Sequence, residues 1–156
     1  DVYKRQFQGA ALSIRIVCRL SWNADAQRTE RMKGQIMINH VTVKVKDFDK
    51  EEAFYEAALA PLGYSKGPAF PGVQAFVAED GSSVWVSTAA EGDTVAPVHV
   101  AFEAAGDDAV KAFHEAGLAN GGTDNGQPGP RPDYGPTYYA AFVHDPEGNN
   151  IEAMHN

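Results

Sequence analysis

A chain of 156 residues with 44% hydrophobic and 22% charged content is long enough for one domain with a real core, or for two small repeats packed as one. No apolar run approaches the roughly 20 residues of a membrane-spanning helix, and the single cysteine, Cys18, excludes an internal disulfide framework and a Cys-rich zinc site. A reducing, cytoplasmic setting is the expectation. The net charge of −8 is unevenly spread: residues 1–33 hold seven Lys/Arg against three acids, and residues 34–156 hold six against eighteen, so the acidic body argues against nucleic acid as a partner.

Residues 1–35 form a basic leader without strong periodicity. Their most apolar piece, residues 10–20, is broken by Arg15 and Arg19, which spoils it as a secretory segment. An organelle transit peptide is the minor reading. The main one is upstream translated sequence ahead of a start at Met32 or Met37, poorly packed and outside the fold.

From Ile36 the pattern sharpens. In residues 38–45, Val41, Val43 and Val45 alternate with His40, Thr42 and Lys44, which predicts a half-buried strand with a histidine on its polar face. Asp49 and Glu52 have capping-box-like spacing, Phe48, Tyr55 and Leu59 recur near helical spacing, and Pro61 and Gly63 end the predicted helix. Short strands follow between Gly/Pro turns, clearest at residues 74–78 and 83–88.

The pattern then restarts. His99 again sits among alternating apolar residues, and residues 107–118 again read as a helix. His40 precedes Phe54 by fourteen residues, and His99 precedes Phe113 by the same fourteen. Trp85 follows Gly81 by four residues, as Glu152 follows Gly148. The predicted fold class is α+β: two βαβββ modules, residues 36–90 and 97–155, forming a cup-shaped mixed sheet within one domain over 36–155. The Gly/Pro-rich residues 120–136 are expected to be an irregular loop, of the kind that often covers a site. His114 is expected on a helix surface, with His144 and His155 flanking the last hairpin.

Strand parity places His40, His99, Trp85 and Glu152 opposite the apolar faces of their strands. Two His and one carboxylate converging with open positions suit a divalent metal such as Fe, Mn, Ni or Zn. Trp85 is then a cavity wall. The acids of Asp145-Pro146-Glu147-Gly148 serve a turn first.

These residues carry a resemblance. His40 with its strand and the Phe54-Tyr55 helix, His99 in the restarted strand, and Asp145-Pro146-Glu147-Gly148-Asn149-Asn150-Ile151-Glu152 are similar to the vicinal oxygen chelate superfamily, which holds glyoxalases, extradiol dioxygenases, and fosfomycin- and bleomycin-resistance proteins. The resemblance covers residues 36–155. It implies paired βαβββ modules, a divalent metal held by His40, His99 and Glu152, and a small-molecule substrate chelated through adjacent oxygens. Glu152 is then also the catalytic residue. Glyoxalase I has a further Glu where this chain has Trp85, which weakens that assignment. The resemblance also implies a homodimer in which exchanged modules build each site from two chains.

Arg131 and Tyr134 in the Gly/Pro segment, with Tyr138 or Tyr139, are candidates for binding an anionic part of the substrate. Lys44 and Glu103 share the faces of the two His and are candidate walls or acid/base groups. A lyase, isomerase or transferase is the leading expectation. The alternatives are a metal-free bleomycin-resistance-type binding protein, an extradiol-type dioxygenase, and an enzyme relic serving as an interaction module.

Overall fold

The computed structural model describes residues 38–156, and the expectations for the basic leader fall outside them. Strand β1 (His40–Val45) is followed by helix α1 (Phe48–Leu59) and a 3-10 turn (Ala60–Leu62). Strands β2 (Ser65–Phe70), β3 (Val73–Val77) and β4 (Ser83–Thr88) complete the first module. The second module runs β5 (His99–Glu103), α2 (Asp107–Ala119), β6 (Thr123–Pro130), β7 (Tyr139–His144) and β8 (Asn150–His155). Each module is βαβββ with its own four-stranded mixed sheet, in the orders β1-β4-β3-β2 and β5-β8-β7-β6.

Local chemistry accounts for the helix ends. Asp47, rather than Asp49, caps α1 by accepting from the Lys50 N–H at 3.4 Å. At the other end Pro61 enters the 3-10 turn and Gly63, at φ 84°, takes the left-handed conformation that bulkier residues resist. The helix therefore stops and the chain reverses into β2.

The repeat is visible in the register. β1 runs parallel to β4 with His40 beside Ser83 and Thr42 beside Trp85. β5 runs parallel to β8 with His99 beside Asn150 and Ala101 beside Glu152. Trp85 and Glu152 thus occupy the same place in their modules.

Two expectations are corrected. Residues 123–130 are strand β6, not irregular loop: they pair with β7 through shifts near Gly126 and Gly129. The ladder tolerates Pro128 and Pro130 because β6 is an edge strand, where a missing N–H faces no partner. His114 is buried at 4% exposure rather than lying on the helix surface, with its Nε2 2.8 Å from Asp124 Oδ1 on β6.

Both sheets turn their apolar faces into one core. Val43, Val45, Val84 and Val86 of the first sheet and Val143, Ile151 and Ala153 of the second join Phe54, Tyr55, Val110 and Phe113 of the helices in a single cluster. Each buried Val, Ile and Phe among them contributes about 1.5–3 kcal/mol, and the cluster draws on both modules. Because the valine faces share this core, the faces bearing His40 and His99 both turn away from it. Among the described residues, no helix is long and apolar enough to cross a membrane.

Candidate functional site

The second module gathers most of the expected site residues on one face. Glu152 on β8 stands between Ala101 of β5 and Phe142 of β7, and His99 lies two residues before Ala101. Glu152 is 4% exposed, and its carboxyl group finds two partners. Its Oε2 lies 2.9 Å from His99 Nε2, and its Oε1 accepts from the Tyr138 hydroxyl at 2.7 Å. A buried carboxylate without such partners is costly, and here both oxygens are engaged. Desolvation first, then the hydrogen bond to Glu152, pushes the Tyr138 phenol up to about 12.

Aromatic rings and one cation surround this pair. His99 packs against Phe142 with ring centroids 6.3 Å apart, and Tyr134 meets Tyr138 edge-on at 5.5 Å. The Arg131 guanidinium lies 5.6 Å from the Phe142 centroid. Tyr134 is 66% exposed, so the loop it occupies opens to solvent. Residues 131–138 are tied at their base, where the Arg131 N–H donates to the Tyr138 carbonyl at 2.7 Å.

His40 and Trp85 stand elsewhere. They sit on the outward face of the first sheet, where His40 Nδ1 is 3.0 Å from Asn39 Oδ1 and Trp85 donates to Ser83 Oγ at 3.1 Å. The expected convergence of His40 with His99 and Glu152 does not occur within one chain. Among the described residues no three His, Cys, Asp or Glu side chains are grouped to hold a metal ion. The physical reason is the shared core, from which both functional faces point outward. Of the two candidate wall residues, Lys44 pairs with Asp93 at 3.5 Å.

Phe142 escaped the sequence reading. Its place in β7, four residues after Tyr138, puts it on the Glu152 face, so the signal was available in the alternation.

A second polar cluster lies beneath the closing hairpin. Asp145 Oδ2 accepts from the Tyr55 hydroxyl at 3.1 Å and from Asn149 Nδ2 at 2.7 Å, and its Oδ1 accepts from the N–H groups of Glu147 and Asn149. Glu147 Oε1 accepts from the N–H groups of Lys46 and Asp47 at 2.6 Å each, which ties this turn to the first module. Beside them Glu51 of α1 is fully buried next to the Asp145 carboxylate. Desolvation, then the charge of Asp145 and a hydrogen bond shared with it, push its carboxyl up to about 8.

With this geometry in place, the comparisons decide the family. The Glyoxalase/Bleomycin resistance protein/Dioxygenase superfamily matches residues 37–153. The chain belongs to this superfamily. A glyoxalase/bleomycin resistance protein from Albidiferax ferrireducens is 33% identical, with 78% of this chain and 100% of that one covered at a TM-score of 0.69. Two more distant superfamily structures share the fold. A glyoxalase-related enzyme from Fulvimarina pelagi is 18% identical, covering 78% of this chain and 89% of that one at a TM-score of 0.62. A lactoylglutathione lyase from Agrobacterium tumefaciens is also 18% identical, covering 79% and 96% at a TM-score of 0.59. A search of curated proteins found no match.

For a superfamily fold of this kind, the donor set can be judged directly. His99 Nε2 and Glu152 Oε2 are a nitrogen and an oxygen donor 2.9 Å apart on one face, of the types a divalent transition metal accepts. They fit two positions of such a centre. The third has to come from outside this face.

Proposed function

We propose that the protein is a divalent-metal-dependent, glyoxalase-like enzyme, a lyase, isomerase or transferase, acting on a small substrate with adjacent oxygens. The observation that carries this reading is the His99–Glu152 pair, with the second oxygen of Glu152 held by Tyr138. On this reading the metal ligands are His99 and Glu152 of one chain and His40 of a second chain in a homodimer. Two outward-facing half-sites in each chain support that arrangement, since only a partner can bring His40 opposite Glu152. The working compartment is reducing and cytoplasmic, and the fold proper starts near residue 36.

When bound, the ion supplies Lewis-acid stabilisation of charge developing on substrate oxygens. The chain's own residues do the rest. His99 and Glu152 hold their donor atoms on one side, and Tyr138 keeps Glu152 from swinging by occupying Oε1. Phe142 backs His99 and keeps water from that side, while Trp85, on the face of His40, supplies an aromatic wall to the centre that its own His40 completes. Tyr134 closes the rim.

A metal-free binding protein of the bleomycin-resistance type is the second reading, favoured by the direct His99–Glu152 contact, which satisfies the carboxylate without an ion. Metal analysis after reconstitution separates the two. The metal enzyme is expected to hold close to one equivalent per site and to lose it in His99→Ala; less than about 0.2 equivalents, or unchanged affinity in that variant, overturns the reading. With metal bound, screens against thiol adducts of 2-oxoaldehydes and against catechols sort lyase and isomerase from dioxygenase chemistry.

A further inference from the structure

The insert between α2 and β7 builds a fixed cation beside the His99–Glu152 pair. Arg131 Nη2 donates to the Gln127 carbonyl at 2.6 Å and its Nη1 to the Pro130 carbonyl at 3.3 Å. Its plane is carried by Phe142, the ring that also backs His99. The strand beneath is cut away to admit it: a Cβ on Gly126 would stand 2.9 Å from Phe142 Cδ2 and 3.5 Å from Arg131 Nη2. A Cβ on Gly129 would stand 3.3 Å from Arg131 Nη1. A guanidinium carries five N–H donors, and the two carbonyls use two of them. Among the described residues, Arg131 makes no ion pair.

This is unusual company for an arginine in an acidic chain. Residues 34–156 carry eighteen carboxylates against six bases, yet the Arg131 guanidinium is oriented by backbone carbonyls and an aromatic face instead of by an acid. A surface arginine seeking only neutralisation has many acids available. Carbonyl partners fix its orientation and leave its charge uncompensated, which is the preorganised state that a planar oxyanion binds with least entropic cost.

We propose that Arg131 selects substrates bearing an anionic group, a carboxylate or a phosphate, and holds that group over the Phe142 ring while the reacting part reaches the His99–Glu152 pair. This rests on the proposed role of that pair, but the anion cradle itself lies wholly within one module and needs no metal. The reacting centre and the anion cradle share one aromatic ring, so both lie within the span of a small molecule.

The test uses the full chain without added metal. Arginine Nε–H signals are followed by NMR while inorganic phosphate, and separately acetate, is titrated in. One arginine signal, absent in Arg131→Gln, is expected to shift saturably with at least one of the two anions, and binding measured by calorimetry is expected to weaken about tenfold or more in that variant, the loss of one charge-assisted contact. Arg131→Lys is expected to lie between the two, since it keeps the charge and loses the fork. Saturation by phosphate assigns the site to phosphorylated substrates, and saturation by acetate alone to carboxylates. No saturable shift of the Arg131 signal with either anion, or equal affinity in Arg131→Gln, overturns the proposal. Metal binding by Arg131→Gln is measured alongside: its retention shows that a lost anion site and a lost metal site are separate failures.

Discussion

The Tyr55 hydroxyl of the first module donates to Asp145 Oδ2 of the second at 3.1 Å, across a core that both modules share. Asp145 opens the turn that leads into β8, so the strand carrying Glu152 is anchored to the opposite half of the molecule. Asp145→Ala strands the Tyr55 hydroxyl, the Asn149 amide and two backbone N–H groups in a buried place. At about 1–3 kcal/mol for each unsatisfied buried group, a loss of about 3 kcal/mol or more is expected. Urea unfolding measures it; a loss below about 1 kcal/mol means that the latch carries little of the stability.

Glu51 makes stability depend on pH. Burial beside Asp145 pushes its carboxyl from the ordinary 4.5 up to about 8, so the native state holds the proton more tightly than the unfolded chain. Its contribution is fully present below about pH 4.5, declines as pH rises, and is gone above about 8. Glu51→Gln keeps the shape, adds an amide donor facing Asp145, and removes the charge. It is expected to flatten the slope and to exceed the parent by about 1–3 kcal/mol at pH 8. Unfolding curves at pH 5 and pH 8 decide this, and an unaltered slope in the variant places the titration elsewhere.

Tyr138→Phe removes one donor from Glu152 and nothing from the core. Groups that orient a metal ligand are worth about 10–100-fold in affinity or activity, and a loss in that range is expected, together with about 1–3 kcal/mol of stability from the buried Glu152 oxygen left without its donor. Metal titration by calorimetry beside a melting curve provides both readings. Equal metal affinity in the variant dissociates Tyr138 from the centre.

Gly126→Ala forces a methyl group against Phe142 at a backbone φ of 156°. Overpacking of this kind costs about 1–3 kcal/mol, and the displaced ring carries both Arg131 and His99. Weaker phosphate or acetate binding together with a lower melting temperature is expected; a melting temperature and anion affinity equal to the parent's show that the strand yields freely.

Much of this was readable in the residues, and the failures have physical causes. The alternation around His40 and His99 and the two fourteen-residue spacings located both modules, and the strand register then placed Trp85 and Glu152 as equivalents. Strand β6 was missed because Gly and Pro dominate it; its pairing comes from β7 and from its edge position, which no local propensity encodes. His114 was misjudged, and the burial of Glu51, on which no expectation was placed, has the same cause. Each falls in the i, i+3, i+4, i+7 stripe that its helix buries, His114 with Val110, Phe113 and Gly117, and Glu51 with Phe54, Tyr55 and Ala58. Polarity argued for the surface, and position in the stripe won. The separation of His40 from Glu152 was not legible either, because sequence periodicity assigns faces to strands and leaves open how two sheets are turned.

That turning has a genetic consequence. With both functional faces directed away from the common core, one chain of the proposed dimer lends His40 to one centre and Glu152 to another. A dimer of one His40→Ala chain and one Glu152→Ala chain then holds one centre with both lesions and one with none. Co-expressed defective chains are expected to complement, recovering about half the parental metal content in the mixed dimer, whereas either variant alone recovers none.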